Sequence, residues 1–154
     1  MTGGGPPRTP FGRRAFEPVR SPVVPVRAIR GATTLDADTP EQVRERVQAL
    51  VAAVFARNHL HTDEVISVLV TATHDIRSAH PATAARQWGL ADVPILGALE
   101  LDVRGGLGLC VRLLLHAELD RARADVEHVF LEGAVVLRPD LVRPEAGPGR
   151  EPAR

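Results

Sequence analysis

LDVRGGLGLCVRLLLH, residues 101–116, places Arg112 inside one of the most apolar runs of the chain. Beyond its glycine turn the run alternates. Cys110, Arg112, Leu114 and His116 share one face of a strand, and Leu109, Val111, Leu113 and Leu115 share the other. A wholly aliphatic strand face needs a second layer packed against it. The opposite face carries a guanidinium, whose burial is costly unless something anionic meets it. That anion is either a carboxylate of the chain or a ligand that the chain holds.

Outward from this strand the sequence supplies the rest of a sheet. VPILGALELD reads as a second apolar strand, and EVISVLVTAT, residues 64–73, is β-branched and continuous, as in a strand covered on both faces. VRAIRGATT, from Val26, alternates as a strand that ends at Gly31. The stretch from Thr39 predicts an amphipathic helix over 40–57. Thr39 is its N-cap, Pro40 its first residue and Gln42 the partner in a capping box, with Val43, Val47, Leu50, Val51 and Val54 on one face and Asn58 as the stop. HPATAARQWG gives a short helix from Pro81 that ends before Gly89, DRARADVEH another short helix, and VFLEGAVVLRPDL closes the domain. Strands interspersed irregularly with a few helices make an α/β (α+β) domain, a mixed sheet with helices on one face.

With 154 residues and 44% hydrophobic composition, the chain suffices for one domain. Residues 1–25 are crowded with Gly, Pro and Arg and read as a disordered arm, residues 26–143 as the domain, and 144–154 as a flexible tail. Formal net charge is zero, so bulk electrostatics call for neither nucleic acid nor a membrane surface. Every basic residue is Arg, the side chain that grips carboxylates through a planar fork. One cysteine allows no internal disulfide, and neither a signal peptide nor an apolar span is evident, so a cytoplasmic protein is expected.

Three strand-borne charged residues stand out: Arg30, Glu100 and Arg112. Strand ends beside glycine turns are where ligands approach backbone, yet Glu100 and Arg112 also suit a plain structural ion pair with Arg30 exposed. His59, His61, His74 beside Asp75, and His80 offer imidazoles suited to zinc, but no HxxxH lies on a helix and no CxxC exists, so no metal is expected. Cys110 among aliphatics is a poor nucleophile, and neither G-x-S-x-G, G-x-G-x-x-G nor a Walker loop is present. Arginines and a carboxylate without nucleophile, metal or cofactor suit a reaction that needs only positioning and charge stabilisation of an anionic substrate.

RAIRGATT, the Asn58–His59 pair, HPATAARQ, VPILGALELDVRGGL, CVRLLL and HVFLEGAVVLRPDL together resemble the trimeric AroH-type chorismate mutases, from about Val26 to Leu141. The resemblance implies a trimeric pseudo-barrel and a cofactor-free Claisen rearrangement of chorismate to prephenate, in phenylalanine and tyrosine biosynthesis, at sites between subunits. It implies Arg112 facing the ether oxygen and Glu100 receiving the substrate hydroxyl and orienting that arginine. By the same resemblance Arg30 is expected to bind a substrate carboxylate, Arg86 to enter from the neighbouring subunit, and Arg138 to lie close by in the C-terminal segment. Four positions depart from the family pattern: His80 replaces a phenylalanine, Phe130 a tyrosine, Gly97 a cysteine and Thr83 a lysine.

Overall fold

Five strands and two helices build the domain in a computed structural model, which describes residues 23–139. The arm as far as residue 22, and the C-terminal tail with the expected domain end at 143, lie outside the described residues. The strands are β1 (Val26–Thr34), β2 (Val65–Ala72), β3 (Ile95–Leu99), β4 (Cys110–Glu118) and β5 (Val129–Phe130), and the helices α1 (Pro40–Asn58) and α2 (Pro81–Trp88). Their order across the sheet is β3-β2-β4-β1-β5. β4 is central and runs antiparallel to both neighbours, whereas β3 and β5 pair in parallel with β2 and β1, which makes the sheet mixed.

The alternation of β4 holds from Val111 onward, but Cys110 on the Arg112 face is fully buried and Leu109 precedes the strand at φ 46°. Val111, Leu113, Leu115 and Ala117 are buried, while Arg112, Leu114 and His116 are only partly so. The buried set packs with Ile29 of β1, Val68 and Val70 of β2, and the Val43, Val47, Leu50, Val51 and Val54 stripe of α1 in one core. Both helices lie on this side, so the opposite face of the sheet is left partly open in the single chain, although Ala32, Cys110 and Phe130 on it are buried. β2 is therefore covered on one face rather than two: Val65, Val68 and Val70 are buried, but Ile66 is exposed and Leu69 only half-buried. A continuous apolar run is still expected there if another chain covers the second face.

Several boundaries differ from the sequence reading, each for a local reason. β1 continues past Gly31 to Thr34, because β4 pairs with it residue for residue from Val26↔Glu118 to Thr34↔Cys110. Gly31 is a close-approach position: a Cβ there would lie 3.1 Å from Leu113 Cγ and 3.2 Å from Leu50 Cδ1. Asn58 is not the stop but the last helical residue. It is fully buried, donating to the carbonyls of Val54 and Glu127 and accepting the Glu127 N–H, and His59 takes the left-handed cap at φ 49°. Thr39 Oγ1 caps the Gln42 N–H as expected, but the Gln42 side chain reaches past the cap to the N–H groups of Asp36 and Ala37. The segment near DRARADVEH contains only a 3₁₀ turn, Arg123–Asp125, and after the two residues of β5 the closing run is 3₁₀ over Glu132–Leu137. Among the described residues no helix is long and apolar enough to cross a membrane.

Candidate active site

Cross-strand partners project from the same side of a sheet. The registers Arg30↔Leu114, Ala32↔Arg112 and Thr71↔Arg112 therefore put Arg30, Arg112 and Thr71 on the open face. β3 leaves the sheet just before Glu100, whose N–H is held by the Ala72 carbonyl at 2.9 Å. This turns the Glu100 side chain back over β2 toward β4. Its Oε1 accepts the Thr71 hydroxyl at 2.6 Å, and its Oε2 accepts Nη1 of Arg112.

The anion that meets Arg112 within the chain is thus Glu100. This is the ion pair of the plain structural reading, and Arg30 is exposed as that reading has it. The environment shows more than a structural pair. The Glu100 side chain is 10% exposed and that of Arg112 is 30% exposed, so the arginine remains open to a second anion. The pair uses one terminal nitrogen of a group with five donors. Both residues line a cleft of about 170 Å³ with Thr73, Asp75, Asp102 and Leu107.

The cleft wall is held by hydrogen bonds between the end of β2 and the start of β4. Thr73 Oγ1 accepts the Cys110 N–H at 3.0 Å and donates to Asp75 Oδ1 at 2.5 Å, while Asp75 Oδ2 accepts the Leu109 N–H at 2.8 Å. Burial works against ionised Asp75, but these hydrogen bonds outweigh it and hold its carboxyl below the usual range. The Cys110 thiol beside Arg112 is pushed up to about 11 by burial and is inert at neutral pH, as the sequence implied. His74 lies 3.5 Å from Asp102, with both side chains exposed. Among the described residues no three His, Cys, Asp or Glu side chains converge as metal ligands.

The remaining site candidates divide among separate places. Phe130, on the open face opposite Ala32, is 7% exposed and packs with Ala134, near Leu107 of the cleft wall. Arg30 and Arg138 both lie close to His128. Partial burial and then these two positive charges push its imidazole below the ordinary histidine range. Asp140, the in-chain partner considered for Arg138, lies outside the described residues. His80 and Gly97 line a second hollow of about 470 Å³ against Ala82 and Leu99. A Cβ at Gly97 would touch only Ala82 Cβ at 3.8 Å and the Val70 carbonyl oxygen at 4.0 Å, so the hollow has room for a side chain there. Arg86 borders a third hollow with Leu96 and His116, and Thr83 is exposed on α2. One chain therefore joins Arg112 to Glu100 and puts Arg30 on the same sheet face, but the cleft itself is lined by neither Arg30, Arg86 nor His80. Thr71, Thr73 and His128 were not anticipated, because only the strand registers show what they touch.

Arg112, on β4, shares the cleft with Asp75, Glu100 and Asp102, while Arg30 and Arg138 lie by His128. An arginine still open to an anion, beside carboxylates that accept hydrogen bonds, suits an anionic ligand that carries a hydroxyl. A family profile described as chorismate mutase type I matches residues 26–141. The chain is 38% identical over 117 residues to the chorismate mutase AroH of Bacillus subtilis (strain 168), across 75% of this chain and 92% of that protein. It is 42% identical over 117 residues to the chorismate mutase AroH of Thermus thermophilus, across 75% and 96% respectively. A solved chorismate mutase from Clostridium thermocellum superposes with a TM-score of 0.69 at 38% identity, covering 71% of this chain and 97% of that one.

Proposed function

The chain belongs to the chorismate mutase type I family and so carries chorismate mutase activity, and from that premise we propose how its residues divide the work. The rearrangement of chorismate to prephenate breaks an ether C–O bond and forms a C–C bond within one molecule. It needs no nucleophile and no proton transfer, so catalysis consists of restraining the reactive conformer and stabilising charge where it develops.

Arg112 supplies that charge at the ether oxygen. Glu100 accepts the substrate hydroxyl and, through its other contacts, holds the guanidinium in place. Arg30 binds a substrate carboxylate on the cationic side, Arg138 adds charge there, and Phe130 forms an apolar wall. The observation that carries this reading is the Arg112–Glu100 pair, mostly buried at Glu100 and still open at Arg112, on a sheet face that the chain's own helices do not cover.

That open face also supports a homotrimer with sites between subunits. Leu96 is 67% exposed on it, and Leu101 and Val103 are exposed in the loop that follows β3. Arg86 and His80, which line other hollows in one chain, then reach the cleft from a neighbouring subunit. The buried free thiol of Cys110 suits a reducing cytoplasm.

The test is loss of chorismate absorbance with wild type and Arg112→Ala in metal-free buffer. Turnover by wild type and a fall of about 10³-fold or more in the variant are expected, since a single neutral oxyanion donor is worth about 10²–10³. If wild type binds chorismate but forms no prephenate, the protein is a binder, and His80, Gly97 and Phe130 have cost the chemistry.

A further inference from the structure

The parallel ladder between β5 and β1 is two residues long, Gly31↔Val129 and Ala32↔Phe130. Beyond it Leu131 N–H bonds the Ala32 carbonyl at 2.9 Å, so the pairing is secured on the far side. On the near side no backbone carbonyl of β5 reaches Arg30. The Arg30 N–H donates instead to Nδ1 of His128 at 3.0 Å, across 98 residues of sequence. An imidazole side chain thus extends the ladder by one step, at the residue whose guanidinium faces the anionic side of the site.

We propose that His128 is a positioning residue for Arg30, fixing through Nδ1 the backbone from which that arginine reaches the substrate carboxylate. The inference rests on the reading of Arg30 given above. Nδ1 is an acceptor here, so the ring proton sits on Nε2. The charged groups felt at the ring are Arg30 of β1 and Arg138 of the C-terminal segment, both cationic, and both favour the neutral ring that this hydrogen bond requires. Arg30 is exposed, so water replaces the acceptor if the imidazole is lost. The consequence falls on the aim of the guanidinium more than on folding, and it appears in substrate binding.

Asparagine and glutamine separate this role from a merely structural one. The amide oxygen of Asn stands near the position of Nδ1, whereas that of Gln stands near Nε2. His128→Asn is expected to keep KM within about twofold of wild type, and His128→Gln to raise it about three- to tenfold, the worth of one hydrogen bond, with kcat changed less than about twofold in both. Arg30→Ala, measured alongside, is expected to raise KM further than either. Equal KM values for the Asn and Gln variants, or a change confined to kcat, overturn the role of His128. An unchanged KM in Arg30→Ala overturns the reading of Arg30 itself. Melting temperatures of the Asn and Gln variants within a few degrees of each other are expected, and a loss of folding confined to the Gln variant makes the contact structural and also overturns the proposal.

Discussion

Arg112 pairs with Glu100 within the chain, and in the proposed mechanism it also meets the negative charge that grows on the substrate's ether oxygen. A planar fork reaches both at once, whereas an ammonium is a single point charge. Arg112→Lys is therefore expected to lower kcat about 10²–10³-fold despite its conserved charge, read from chorismate consumption at saturating substrate. Histidine and carboxylate titration set the acid side of stability. His128 is held below the ordinary histidine range in the fold, by burial and then by Arg30 and Arg138, so the unfolded chain takes up its proton first. Its contribution is complete above that range and declines as pH falls through it. Asp75 is also lowered, with its hydrogen bonds outweighing burial, so its contribution is lost only at still lower pH. The melting temperature is expected to fall in two steps, one below about pH 7 that is absent in His128→Asn and one below about pH 4. A melting temperature that rises from pH 7 to pH 5.5 contradicts this.

At the scale of elements, α1 shows why some of the fold is legible in sequence. Its cap, its first proline and its valine stripe are local features, and all of them are present. Thr39→Ala removes the acceptor of the Gln42 N–H and is expected to cost about 1 kcal/mol in thermal or urea unfolding. β1 shows the opposite case. Its glycine reads as a terminator, but the full-length ladder with β4 overrides that weak local preference. Gly31 sits instead where α1 and β4 come closest to it. Gly31→Ala forces Leu113 and Leu50 to shift, with an expected cost of about 1–3 kcal/mol in unfolding free energy. β5, at two residues, carries too little periodicity to be read at all.

The whole molecule has one finished face and one unfinished one. The helices complete the core on the first, while the second presents the site residues together with exposed apolar side chains. Leu96→Glu places a charge on the open face at a side chain that is 67% exposed in the single chain. The circular dichroism spectrum is expected to stay unchanged, because the core does not include this residue. On the proposed trimeric reading, the mass by light scattering is expected to fall from that of three chains to that of one, with loss of kcat/KM, because a neighbour's Arg86 would no longer reach the cleft. An active wild-type monomer contradicts the intersubunit site.

The sequence alone determined what repeats locally: the alternation of β4, the stripe and cap of α1, the bounds of α2, and the presence of arginines and a carboxylate without nucleophile or cofactor motif. Those features follow from periodicity and from residue chemistry, which neighbours in sequence are enough to express. The tertiary structure decided everything that depends on register. It set Thr71 between Arg112 and the turn to Glu100, His128 against the backbone of Arg30, and Asp75 against the Leu109 N–H. It also left the second face of β2 uncovered, against the reading of a strand buried on both sides. Such contacts join residues tens of positions apart, and no local pattern of side chains specifies which of them meet.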